Sequence, residues 1–162
     1  MLVETVGDIT RSETQYICHQ CNSVTNRASH LAKIMFNVFP WANIYAERGE
    51  ERHKPADNEL PGNIIIRGDG KTQRFVINMI GQYYPGMPKY LDSIVDGIHA
   101  RQSAFADCLE KIVKIEGLKT ISFPHGIGCG AAGGQWKIYR MMIENFSLKN
   151  PEVDVVIVRF EG

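Results

Sequence analysis

The sequence has no excess of charge: 18 Lys and Arg balance 18 Asp and Glu, for a formal net charge of zero. A general electrostatic attraction to nucleic acid is therefore not expected, which leaves room only for a local basic patch. No apolar run approaches the roughly 18 residues of a membrane helix, so no membrane partner is expected either. The opening Met1-Leu2-Val3-Glu4 lacks the charged and apolar regions of a signal peptide, and the expected location is intracellular, cytoplasmic or nuclear. Repeats, low-complexity tracts and linkers are absent. A chain of 162 residues is then most simply one domain with a sizeable core.

Cysteine is scarce as well: Cys18, Cys21, Cys108 and Cys129 are the full set. Cys18-His19-Gln20-Cys21 has the C-x-x-C spacing of zinc and redox sites. The surrounding "QYICHQC" reads as a strand, however, and residues three apart on a strand point to opposite faces. No second Cys/His pair accompanies it, so buried apolar thiols are expected, with no metal and no cofactor.

What is present alternates strands with helices. Strands are expected over residues 1–9, 15–22, 63–67, 75–82, 120–124 and 153–160, with Gly68-Asp69-Gly70 as the turn between the third and fourth. Ala28, Leu31, Ala32, Met35, Phe36 and Phe39 share one helical face that Pro40 ends. Residues 41–61 are expected to hold a short helix and a surface loop. Phe105, Cys108, Leu109, Ile112 and Val113 mark the longest helix, with Gly117 just past its end. Trp136, Tyr139, Ile143 and Phe146 mark the last one. "VDVVIVRF" is apolar on both faces, as a strand covered on both sides by helices would be. An α/β layered domain follows.

"FPHGIGCGAAGGQW", residues 123–136, joins a strand to a helix through five glycines. Glycine reaches backbone angles other residues avoid, and successive N–H groups beside a helix start form a cradle for phosphate. A tight turn without ligand is the competing reading. No Lys-Ser/Thr pair follows, which excludes a nucleotide-hydrolysing P-loop. Gly128-Cys129-Gly130-Ala131-Ala132-Gly133 spells G-x-G-x-x-G, but the dinucleotide fingerprint opens its fold, whereas this loop lies in the last βαβ unit.

Three motifs in order resemble the macro domain, the ADP-ribose-binding module. "VGDIT" closes the first strand, "CNS" closes the second, and the glycine loop follows a late strand ending in "FP". The resemblance spans nearly the whole chain. "IGCG" ahead of a tryptophan-led helix is most similar to the branch that includes terminal ADP-ribose glycohydrolases and their phage and viral relatives. The resemblance implies a three-layer α/β/α fold with a central mixed sheet, one macro-type domain over residues 1–162, and ADP-ribose or an ADP-ribosylated macromolecule as partner. Asp8 would take the adenine amino group, with Ile9 beside it, unless it is a turn aspartate. Asn22 would face the distal ribose. Gly128, Cys129, Gly130, Ala131, Ala132 and Gly133 would wrap the diphosphate, and Gln82 would line the same pocket.

Departures from the family bear on catalysis. Ala28, Ser29 and His30 stand where many macro domains carry glycines. Gln82 and Ala132 stand where the glycohydrolase branch has its lysine and aspartate, and Gln135 replaces an acid of other relatives. The lysine-adduct mechanism is thus not expected. Asn22 and His30 are the catalytic candidates for hydrolysis of an ADP-ribosyl linkage or of ADP-ribose 1″-phosphate. His30 capping and packing the helix is the other reading for that residue, and a non-catalytic reader is the other reading for the chain. Tyr83 and Tyr84 are candidates to stack on the ligand or to form a plain turn. Cys129 is expected to shape the loop rather than attack, and His125 to be a surface residue that could touch phosphate.

Overall fold

The computed structural model describes residues 1–50, 53–90 and 92–161. Its strands are β1 (Leu2–Val6), β2 (Tyr16–Asn22), β3 (Ile64–Arg67), β4 (Phe75–Gln82), β5 (Thr120–Pro124) and β6 (Asp154–Arg159), and its helices are α1 (His30–Val38), α2 (Ile98–Val113) and α3 (Trp136–Lys149). The strands form one sheet in the order β1-β6-β5-β2-β4-β3. Only β3 runs antiparallel, against β4 with Ile65 opposite Asn78; the other pairings are parallel. This is the expected α/β fold with a central mixed sheet.

Alternation along the strands builds two cores. Tyr16 and Cys18 of β2, Ile77 and Met79 of β4, and Val155 and Ile157 of β6 face Phe105, Ile112, Tyr139 and Ile143 on α2 and α3. The intervening Ile17, Cys21, Val76, Ile80 and Val158 face Met35 and Phe36 of α1 with Phe39, Ala42 and Tyr45 beyond it. Each such side chain contributes about 1.5–3 kcal/mol by leaving water. Cys18 and Cys21 thus lie on opposite faces. Burial pushes the Cys18 thiol up, and that of Cys21 to about 12, so both stay protonated.

Residues 41–61 differ from expectation. In place of a short helix and a surface loop, the described part holds three 3-10 turns, Pro40–Ala42, Ala46–Arg48 and Asp57–Glu59. Ala42, Ile44 and Tyr45 are buried, because this stretch closes the end of the α1-side core that a helix of nine residues leaves open. Residues 51 and 52 lie outside the described residues. α2 ends before its lysine cap at Lys114, so Gly117 serves the following turn, with φ +77°, rather than the helix end.

His19 is buried in the α1-side layer at 2.6 Å from Asn78 Oδ1, and burial pushes its imidazole down to about 4. The neutral ring donates from Nε2, and Asn78 in turn donates to the carbonyls of Ala42 and Ile65. The network ties β2 to β4 and to the covering turns.

Candidate functional site

The chain order reverses between β5 and β2, and the two strands pair only at Tyr16–Ile121 and Ile17–Ser122. Beyond that ladder β2 runs on to Asn22 and β5 to Pro124, leaving a gap at their carboxyl ends. In open parallel sheets such a switch point is where ligands sit. A cavity of about 330 Å³ occupies it, walled by the ends of β2 and β4, the start of α1, Tyr45 and the glycine loop. That volume lies at the lower end of small-molecule sites.

The glycine loop owes its composition to backbone and packing together. Gly126, Gly128, Gly130 and Gly133 all have φ between +62° and +83°, the left-handed region that other residues enter at a cost. A Cβ on Gly128 would stand 2.5 Å from the ring of Tyr139, and one on Gly134 2.2 Å from the Gly128 carbonyl oxygen. The loop closes on itself through Gly134 N–H donating to Gly128 O at 3.0 Å and Gly133 N–H to Gly130 O at 2.9 Å. The amides of Gly128 and Ala131 find no protein acceptor among the described residues. Gly128, Cys129, Ala131 and Ala132 line the cavity. Half-burial pushes the Cys129 thiol up to about 11, which leaves it un-ionised and unsuited to nucleophilic attack.

Asn22 reaches the cavity through a bulge: the β2–β4 register steps from Cys21–Ile80 to Asn22–Gln82, skipping Gly81. Its side-chain oxygen accepts from the amides of Val24 and Thr25 at 3.0 and 2.9 Å, and its nitrogen donates to the Tyr45 hydroxyl at 3.2 Å. The second N–H of its amide has no acceptor among the described residues. Buried Arg48 braces the same turn, donating to the carbonyls of Asn22 and Thr25, both at 2.8 Å, while its Nε lies 3.5 Å from Glu59. Gln82 accepts from Gln20 at 2.6 Å and donates to Tyr84 O at 2.8 Å. A Cβ on Gly81 would fall 2.3 Å from Gln20 Oε1, so a larger residue there would have to displace the Gln20 side chain from Gln82.

The start of α1 forms the remaining wall. His30 has φ +53° and is the one non-glycine residue with positive φ among those described. Its Nδ1 lies 3.1 Å from Ser29 Oγ, and Ser29 makes no capping bond. Ser29, His30, Arg27 and His125 all line the cavity, and no described Asp or Glu does. Among the described residues the site is a concave surface of amides, amide side chains, imidazoles and one guanidinium, without a carboxylate. It suits an anion.

Other sequence candidates stand apart. Asp8 lines a separate groove of about 780 Å³ on the α1-side face of β1 and β6. Hydrogen bonds from the Thr10 hydroxyl and amide to its Oδ1 hold its carboxyl below the usual range, and Oδ2 accepts from no described residue. Ile9 is a core residue. Gly130 and Gly133 shape the loop without lining the cavity, and a Cβ on Gly130 would meet nothing within 4 Å. The rings of Tyr83 and Tyr84 pack edge to face outside it, with both amides directed at Asp96. His125, by contrast, does line the cavity and leans on Trp136, ring centroids 4.6 Å apart. Gln135 is exposed at the N-cap of α3.

Sequence reasoning missed Arg101. It is buried against Asp96 at 2.6 Å and donates to the carbonyls of Gly86 at 2.6 Å and Ala132 at 2.9 Å, so one side chain fixes two cavity walls. The signal was there: Arg101 shares a helical face with Phe105, Cys108 and Ile112, a cation at the head of an apolar stripe. Tyr45 and Arg48 had no such periodic mark.

No sequence-family model matches the chain, and no curated protein matches it by sequence. Its fold matches solved macrodomain structures. The macrodomain of Mycobacterium tuberculosis DarG superposes with a TM-score of 0.71 at 17% identity, over 98% of this chain and 97% of that one. The macrodomain of Thermus aquaticus DarG gives 0.68 at 18%, over 100% and 99%. A macrodomain variant of Oceanobacillus iheyensis, solved with ADP-ribose, gives 0.60 at 20%, over 98% and 84%. The fold is macrodomain-like.

Proposed function

We propose that the cavity binds ADP-ribose, free or attached to a modified macromolecule, in a single macro-type domain over residues 1–162. One observation carries this reading: a cavity at the switch point of the sheet that no described Asp or Glu lines, with the amides of Gly128 and Ala131, unengaged among the described residues, on its glycine-loop wall. Those amides suit the diphosphate. Asn22 and Gln82 flank the side where the distal ribose would lie. Asp8 sits at the end of β1, two strands away from β5, roughly 10 Å at ordinary strand spacing, a span an extended dinucleotide can cross to bring adenine to Oδ2. The Oceanobacillus macrodomain solved with ADP-ribose supports the ligand class.

Hydrolysis of an ADP-ribosyl linkage or of ADP-ribose 1″-phosphate is the second reading, and His30 favours it. A non-glycine residue held at φ +53° on the cavity wall costs about 1–2 kcal/mol, and strain of this kind clusters at functional positions. Glycosidic cleavage needs water at the anomeric carbon. With Gln82 and Ala132 in place of a lysine and an aspartate, His30, the second N–H of Asn22 or a substrate phosphate would hold that water. The resemblance of "IGCG" and Trp136 to the glycohydrolase branch supports the reaction class, not the lysine-adduct route.

Calorimetry with ADP-ribose and NAD tests the binding reading. ADP-ribose should bind more tightly, and a preference for NAD would overturn it. Incubation with ADP-ribosylated protein and with ADP-ribose 1″-phosphate tests the second: no product over hours at high protein concentration leaves a reader.

A further inference from the structure

Among the described residues three arginines stand around the cavity, and two are committed. Arg48 lies beside Glu59 and Arg101 pairs with Asp96; both are buried and spend their other N–H groups on wall carbonyls. Arg27 differs. It is exposed, it lines the cavity from the loop ahead of α1, and it pairs with no carboxylate among the described residues.

Its backbone is held in place. The Arg27 amide donates to Thr25 Oγ1 at 3.3 Å, and that hydroxyl lies 3.2 Å from the Arg27 carbonyl. Thr25 is itself fixed, its amide by Asn22 and its carbonyl by Arg48. Arg27 thus lines, from a braced loop, a site that no described Asp or Glu lines. Because the cavity separates β2 from β5, the loop bearing Arg27 faces the glycine loop across it.

We propose that Arg27 is an anion clamp: it grips the ligand's diphosphate from the wall opposite the glycine loop, with amides on one side and a side-chain cation on the other. Guanidinium suits this task, since its planar fork meets two phosphate oxygens at once and it stays charged at any working pH. The clamp rests on the ADP-ribose reading and names a binding residue for it.

Titrating ADP-ribose and ADP into native protein, Arg27→Gln and Arg27→Lys separates the two claims. Lys71→Gln, in the distant turn between β3 and β4, is the control. Arg27→Gln should lose roughly 10- to 100-fold in affinity for both ligands, which share the diphosphate, with Arg27→Lys in between. Raising the salt concentration should weaken native binding more than that of Arg27→Gln. Being exposed, Arg27 can change without unfolding the chain, and an unchanged melting temperature verifies that. Native-like affinity of Arg27→Gln overturns the clamp and leaves the ADP-ribose reading standing. A loss for ADP-ribose with none for ADP also overturns it, moving Arg27 to the ribose. Failure of the native protein to bind ADP-ribose removes the reading and the clamp together.

Discussion

Arg101→Ala is expected to cost about 3–5 kcal/mol of folding stability, read as a lower urea midpoint at an unchanged slope. Removing the guanidinium leaves the Asp96 carboxylate buried with only the amides of Tyr83 and Tyr84 directed at it, at 2.8 and 3.4 Å. It also takes the guanidinium donor from the Ala132 carbonyl and leaves the Gly86 carbonyl with Gln82 Nε2 alone at 3.3 Å, loosening two neighbouring stretches of the cavity wall. Against a total of about 5–15 kcal/mol for an ordinary domain, this one change consumes a large share. Removing both partners should hurt less than the sum of the single losses, because the uncompensated charge then disappears. Additive losses in Arg101→Ala/Asp96→Ala would mean the pair is not coupled. Any ADP-ribose affinity left in Arg101→Ala should also fall, since the segment carrying Gly86 and the glycine loop lose their common anchor.

Gly128→Val is the second large effect, acting first on binding. Any side chain at φ +78° is strained, and the first added carbon meets Tyr139 at 2.5 Å. Tyr139 cannot swing aside: it is 1% exposed and packs edge to face on Phe105 at 4.8 Å. The backbone must move instead, and the amides of Gly128 and Ala131 move with it. Two lost hydrogen bonds to a charged group amount to about 3 kcal/mol or more, at least 100-fold in affinity. Gly130→Ala is the informative partner. It carries the cost of φ +62° but no clash, so it should destabilise by about 1–2 kcal/mol and keep most of the affinity. Equal losses in both variants would place the ligand against Gly130 instead.

The contrast between these glycines marks the limit of what the sequence discloses. Five glycines in nine residues announce a loop of unusual backbone angles, and four of them adopt positive φ. Which one supports Tyr139 depends on how α3 packs, and no local pattern encodes that. The framework is legible because periodicity and turn chemistry act locally: β5 spans Thr120–Pro124 and α3 starts at Trp136, both where the pattern places them. Asp8 illustrates the opposite case. Its motif is plain and its Thr10 bonds form a local turn, the alternative reading of that aspartate, yet its separate groove is completed by residues as distant in sequence as Thr120, Asp154 and Val158. The brace of Arg48 on the Asn22 turn joins residues 26 apart in sequence and was equally invisible.

The most direct measurement follows backbone amide resonances while ADP-ribose is added. The largest shifts should fall at Gly128 and Ala131, with further changes at Asn22, Gln82 and Arg27 around the same hollow. Saturable shifts confined to the Asp8 groove, leaving the amides between β5 and α3 unmoved, would contradict the assignment of the diphosphate to that loop.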